Sequence, residues 1–348
     1  MSFTKGVEVP RYRYTTHNVL RHQRLFNVLS IDFFNASRLS RTIVLTTIFS
    51  ILLFWKQDIC ILPINEKNMK STEKELESFI TPKQKIIYHY TNIPALFNGI
   101  LSENDICLWA TNAQYMNDPQ EICFGHKLVS YTILDKESDN EFEKTKNEII
   151  KNSFITSFSY KNDFLPMWSM YGENGAGISL GFNSELLTNA NQILLNCVYF
   201  SKTNHDEIVE HLMKVKEPML SSIFNLKKIK TQNLPKKEKF EILRNSSHDL
   251  LFYVLYNIVT IVAAKNSAYS YEEEVRLMNL NPTNIKFRKQ GNIIVPYIEQ
   301  HFSKNALQEI IIGPTNQMDL SEQSIRTYLD HLGYGHVKIK RSEVPYRG

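Results

Sequence analysis

Short apolar runs of strand length restrict this chain more than any other feature. They recur at Ile86–Thr91, Ile106–Ala110, Phe154–Ser159, Gly177–Phe182, Ile193–Phe200, Glu274–Leu280, Ile293–Ile298, Glu309–Ile312 and Val337–Lys340. Ile86–Thr91 shows the pattern clearly, with Ile87, His89 and Thr91 on one side and Ile86, Tyr88 and Tyr90 on the other. That alternation is what a pleated strand imposes. No internal repeat or low-complexity tract accompanies these runs, so the chain reads as an α+β fold.

Helical segments fill the intervals. Thr91 or Asn92 caps a short helix with Pro94 in its first turn and Ile93, Leu96, Phe97 and Ile100 on its buried stripe. Asn117-Asp118-Pro119 is turn chemistry that opens a helix near Pro119. A charged helix is expected around Asn140–Lys151, one or two turns over Phe164–Tyr171, and a longer helix over Asp319–His331. Residues 203–264 are Lys/Glu-rich and read as a helical insertion with a polar break at Thr231–Pro235.

Residues 1–68 differ in style. A basic, aromatic stretch from Arg11 to Arg24 precedes an uncharged run, Thr42–Trp55. As a helix, that run spans about 21 Å, short of a roughly 30 Å hydrocarbon core. The segment reads first as an over-extended reading frame and second as a weak membrane anchor preceded by Arg38 and Arg41. Residues 69–348 are expected to form a single domain.

A net charge of +4 is too small a bias for nucleic-acid binding by itself. Cys60, Cys107, Cys123 and Cys197 show no paired spacing. They read as buried, reduced thiols of a cytoplasmic protein, and no metal ligand is assigned. P-loop, dinucleotide-binding, zinc-protease and nucleophile-elbow motifs are all missing from the sequence.

Three clusters remain as chemistry. Tyr88-His89-Tyr90-Thr91 puts a histidine and a hydroxyl on one face of an early strand. Ser157-Phe158-Ser159 leads to Trp168, which suits a core, and to Tyr171 at a turn before Gly172. In Glu272-Glu273-Glu274-Val275-Arg276-Leu277, strand alternation groups Glu272, Glu274 and Arg276 on a displayed face over an apolar one, with Lys265 upstream.

In order and spacing these pieces resemble a bacterial domain-of-unknown-function family, DUF2971, from about Ile86 to Arg347. The resemblance rests on Tyr88-His89-Tyr90-Thr91, Leu108-Trp109, Asn117-Asp118-Pro119 with Glu121, and Ser157-Phe158-Ser159 with Met167-Trp168 and Tyr171. It continues through Gly177–Phe182, Val198-Tyr199, Lys265, Tyr269, Glu272, Glu274, Arg276, Pro296-Tyr297, Ile310–Pro314, Ser342 and Pro345-Tyr346-Arg347. Gln120 stands where an aromatic residue often follows Asn-Asp-Pro.

More distantly, the order His, Tyr, Glu is similar to the ADP-ribosyltransferase fold. That resemblance implies mostly antiparallel central sheets flanked by helices. It implies NAD as substrate, with His89, Tyr90 and Thr91 positioning the nucleotide and Trp168 and Tyr171 supplying aromatic surface, Tyr171 by stacking on nicotinamide. Glu274 would be catalytic, Glu272 linked to acceptor choice, and Lys265 or Arg276 in contact with pyrophosphate. A carboxylate suits the oxocarbenium-like ribose left when nicotinamide departs.

The leading expectation is therefore an NAD-using ADP-ribosyltransferase or NAD glycohydrolase, in a toxin or phage-defence role by analogy. Its acceptor would be a protein or a nucleic acid. A non-catalytic nucleotide- or nucleic-acid-binding module is the second reading, motivated by Lys-rich helices between Lys214 and Lys239. A Mg²⁺-dependent hydrolase or nuclease using His89, Asp118, Glu121, Glu272 and Glu274 is the third, and no lysine adjoins its carboxylate pair in the sequence.

Overall fold

In a computed structural model, the described residues are 77–345 apart from 117–121, 131–146, 148, 189–191, 202–206, 218–231, 233, 240–241, 243–255, 281, 283 and 316. The expectations for residues 1–68, for Asn117–Glu121 and for Tyr346-Arg347 fall outside them.

The chain is α+β. Its strands are β1 (Ile86–Thr91), β2 (Ile106–Asn112), β3 (Ser153–Ser159), β4 (Ile178–Asn183), β5 (Gln192–Asn196), β6 (Val198–Phe200), β7 (Ala264–Asn266), β8 (Glu274–Leu280), β9 (Lys286–Gln290), β10 (Ile293–Phe302), β11 (Leu307–Ile312) and β12 (Lys338–Arg341). One path of the main sheet runs β12-β11-β4-β1-β3-β2-β10-β9, and β8 branches from β3 to carry β5. Every pairing in this sheet is antiparallel except β11 with β12. A separate parallel pair, β6 and β7, sets Tyr199 in register with Lys265.

Alternation along the strands builds two apolar layers. Ile310 and Ile312 of β11 join Leu180, Phe182, Val275 and Leu277 in the larger core, which packs Ile325 and Leu329 of α2 (Met318–His331). Ile311, between them, turns to the opposite layer with Tyr88, Tyr90, Met167 and Trp168. At roughly 25 cal/mol per Å² of apolar surface, such two-sided burial is the main source of stability.

Branching gives the sheet its functional geometry. On one edge β3 pairs with β8 along its whole length, Ser153 with Leu280 through Ser159 with Glu274. Its other edge is shared: Ile155 is in register with Thr111 of β2, and Ser159 with Tyr88 of β1. Ser157, midway between them, has a ladder partner in neither strand. The sheet therefore opens between β1 and β2.

Several sequence readings need correction. The helix after β1 is α-helical only over Ile93–Ala95 and widens to a π turn over Leu96–Ile100. That winding keeps Leu96 and Ile100 buried but turns Phe97 outward, 64% exposed, against Tyr328; Ile93 is exposed as well. The run Ile193–Phe200 is two strands, β5 and β6, interrupted at Cys197. Among the described residues, cysteine burial holds for Cys197 only, since Cys107 is half-buried and Cys123 exposed. Within the insertion, the helical stretches described are 207–217, 236–239 and 256–263.

Candidate functional site

The opening beside β3 is the mouth of a cleft of about 570 Å³, within the range of sites that enclose small ligands. Its walls come from distant parts of the chain and include His89, Thr91, Tyr171, Lys265, Glu272 and Glu274.

His89 is fixed by the split itself. Its Nδ1 lies 2.9 Å from Ser157 O, the carbonyl midway between the two ladders. A carbonyl only accepts, so Nδ1 carries the proton of the neutral ring and Nε2 remains an acceptor. Burial lowers the His89 pKa, and the bond to Ser157 only partly opposes it, so the ring is neutral near pH 7.

Tyr171 ends α1 (Leu165–Tyr171), which starts with Pro166 in its first turn. Gly172 closes that helix, donating to Met167 O and Trp168 O at 3.1 Å. A Cβ there would come within 2.5 Å of the Trp168 ring, so the turn that presents Tyr171 requires glycine. Trp168 anchors α1 from below: it is fully buried and donates from Nε1 to Asp163 at 2.6 Å. It lies in the core beneath the cleft, edge-on to Tyr90 at 4.8 Å, and does not line the wall as the cofactor reading expected. Tyr90 does line it, with its hydroxyl committed to Lys161 O.

The carboxylate row also departs from the expectation of one strand displaying a solvated face. Glu272 is the last residue of a 3-10 helix, Ser267–Glu272, and Glu273 then takes a left-handed conformation, φ 43°, before β8 begins at Glu274. The kink is held by Tyr160 N–H donating to Glu273 O and by Lys161 pairing with the Glu273 carboxylate at 2.8 Å. It returns Glu272 to the side of Glu274. Glu272, Glu274 and Arg276 are all buried, at 3%, 5% and 0% exposure, while Val275 and Leu277 face the apolar core as expected.

Buried charges need partners, and here they are shared. Lys265 Nζ donates to Glu272 Oε2 at 2.6 Å and to Glu274 Oε2 at 2.8 Å. Glu274 also takes Arg276 Nη2 at 3.1 Å and the Ser157 hydroxyl at 2.7 Å. The Tyr171 hydroxyl donates to Glu272 Oε1. Burial pushes the Glu274 pKa up, but Arg276, and next Lys265, outweigh it and hold the carboxyl well below the usual range. Glu274 is thus ionised at any physiological pH. Tyr171 is pushed up by burial and then by the Glu272 charge, so it stays a neutral donor.

Arg276 is enclosed, bonded to Glu274 and to Val262 O, and supports the carboxylate from behind instead of reaching a ligand. Lys265 is the lysine that the sequence does not show beside the acid pair. Its ammonium sits between the two carboxylates, where a divalent ion would otherwise bridge them. Asp118 and Glu121 lie outside the described residues.

Sequence reasoning missed part of the cleft. On the wall formed by β2 and β9, Trp109 is 42% exposed and Arg288 lies over its ring at 5.9 Å. Arg288 donates to Thr111 Oγ1 at 3.0 Å, while its buried Nε has no partner among the described residues. Strand β9 contains no apolar alternation, so no periodic signal pointed there. Tyr199 was also missed as a support: its hydroxyl accepts from Glu274 N–H at 2.7 Å.

No curated protein and no solved structure matches this chain. Residues 167–277 match the family described as "Protein of unknown function (DUF2971)". That stretch carries Tyr171, Lys265, Glu272, Glu274 and Arg276, and over it the chain is similar to the DUF2971 family, as its residue pattern indicated.

Proposed function

We propose that the cleft binds NAD and cleaves its nicotinamide–ribose bond, as an ADP-ribosyltransferase or NAD glycohydrolase. The observation that carries this reading is convergence: His89, Tyr171, Glu272 and Glu274, from three distant stretches, line one cavity.

The chemistry breaks the C1′–N bond, the electron pair leaving with nicotinamide and positive charge developing on the ribose. Glu274 is suited to that charge because it is ionised, buried and fixed by Ser157, Lys265 and Arg276 before any ligand arrives. Lys265 and Arg276 offset part of its field, so orientation contributes along with raw charge. Glu272, held by Tyr171 and Lys265, is placed to accept a proton from the incoming nucleophile, which is water or an acceptor group on a protein or nucleic acid. His89 Nε2, an acceptor, is suited to a ribose hydroxyl. The Tyr171 ring offers a face to the pyridinium. With Arg276 enclosed and Lys265 engaged by carboxylates, Arg288 takes over the pyrophosphate role.

The test is nicotinamide release by the full chain, with and without protein and nucleic-acid acceptors. Release that falls at least about 100-fold in Glu274→Gln, with unfolding temperature retained, supports the reading. No release with any acceptor, together with no NAD binding by calorimetry, overturns it.

A further inference from the structure

On the face of β2 and β10 that continues the Trp109 wall of the cleft, and with Cys107 itself lining that cleft, lies a second group of side chains with ligand chemistry, distinct from the carboxylate–lysine cluster. His301 is directly opposite Cys107 in the antiparallel ladder, and Glu299 is opposite Trp109, two positions along the same face. Cys107 Sγ, a Glu299 carboxylate oxygen and a His301 ring nitrogen all lie within 4.8 Å of one another. His301 Nε2 is 3.7 Å from Glu299 Oε2.

We infer that Cys107, Glu299 and His301 form a three-ligand site for a borderline transition-metal dication, Zn²⁺ being the natural occupant. The donor set of thiolate sulfur, imidazole nitrogen and carboxylate oxygen is the mixture that Zn²⁺ takes in tetrahedral coordination. At ordinary Zn–ligand lengths, ligand atoms in a tetrahedron stand about 3.3–3.8 Å apart. The His301–Glu299 separation of 3.7 Å is close to that range for a nitrogen–oxygen pair, and both it and the sulfur need only side-chain adjustment.

A second observation independently points to a ligand. His301 Nδ1 lies 2.7 Å from Asp105 Oδ2, so the carboxylate orients the ring, puts the proton on Nδ1 and leaves Nε2 toward Glu299. A histidine held by a carboxylate through its other nitrogen is the usual outer support of a zinc ligand. The antiparallel ladder brings together Asp105 and Cys107 from one strand region and Glu299 and His301 from another, each pair two residues apart. That arrangement explains why inspection of cysteine spacing found nothing.

The site faces solvent, with His301 54% exposed on its side chain, so a fourth position remains for water or a ligand. Binding releases the Cys107 proton to solvent. Among the described residues the competitor is Lys286, whose ammonium pairs with Glu299 Oε2 at 2.6 Å from an exposed position. It must yield when the metal binds.

The experiment uses the full chain and Co²⁺ as a spectroscopic stand-in for Zn²⁺. One equivalent of Co²⁺ is expected to produce a thiolate-to-metal charge-transfer band that Zn²⁺ abolishes. Cys107→Ser removes the band and Cys123→Ser leaves it. Asp105→Asn weakens Zn²⁺ binding about 10–100-fold by calorimetry. Lys286→Ala tightens it, a gain that a damaged fold does not produce. No band with the wild type, or a band that persists in Cys107→Ser, overturns the assignment.

Discussion

The Tyr171 hydroxyl donates to Glu272 Oε1 at 2.8 Å, tying together residues 101 positions apart. One end of α1 is thereby fastened to the residue preceding the left-handed kink at Glu273. The bond separates two jobs of the tyrosine, donor and ring. Tyr171→Phe should lose about 1–3 kcal/mol in urea unfolding, the range for a hydrogen bond to a buried charge, while NAD affinity changes less than about threefold. Tyr171→Ala should lose both stability and affinity. Equal affinity losses in Phe and Ala would rule out stacking by the ring.

Lys265 is the shared partner of two buried carboxylates. Its replacement in Lys265→Met leaves like charges facing each other in a poorly solvated site and should cost about 3–5 kcal/mol. The sign of the pH effect is distinctive. Without the ammonium, proton uptake by the acids relieves repulsion, so the deficit relative to wild type should shrink as pH falls toward 4. Urea midpoints of both proteins across pH 4–8 give the comparison; a deficit independent of pH counts against the shared-partner account.

His89 predicts a second pH effect. Its pKa is lowered from 6.5 by burial, so the fold disfavours the protonated ring. A lowered folded-state value means this contribution is full above pH 6.5 and is lost as pH falls toward the folded value. Wild-type stability should decline below about pH 6.5, and His89→Gln should flatten that part of the curve. The depressed Glu274 pKa acts in the same direction lower down, with its contribution waning below about pH 4.5. Melting temperatures at half-unit pH steps resolve the two windows.

Trp168 tests the difference between core and cleft. Full burial beneath α1 predicts that Trp168→Ala costs about 3–5 kcal/mol, and that the loosened α1 releases Tyr171 from Glu272. Trp168→Phe should keep most of the stability and leave NAD affinity within about threefold. A large affinity loss in a well-folded Trp168→Phe would return this residue to the ligand wall.

Much of the framework could be read from alternation. β1 and β8 have the boundaries their periodicity gives, and α2 differs by one residue, because each buries a regular apolar face. β7 and β9 could not be read that way: Ala264-Lys265-Asn266 is too short to show a period, and Lys286–Gln290 is largely exposed. For the site, residue types and order led to His89, Tyr171, Glu272 and Glu274, which do share one cavity. What the order could not show was depth. Taking Glu272 as part of the strand predicted a displayed row, whereas the turn at Glu273 and the ammonium from β7 permit the acids to be buried. Arg276, on the same face as Glu274, consequently ends enclosed behind it. The Cys107–His301 neighbourhood depends on strand register, which spacing along the chain does not encode.

The helical stretch 256–263 runs directly into β7, so Lys265 hangs from the end of the insertion, and Arg276 grips the same junction through Val262 O. The cleft's positive counterweight is thus mounted on a limb outside the main sheet. Tilting or remodelling that limb would withdraw an ammonium and leave the acids uncompensated, altering the affinity of the hollow for cations or anions without exchanging any residue on its walls.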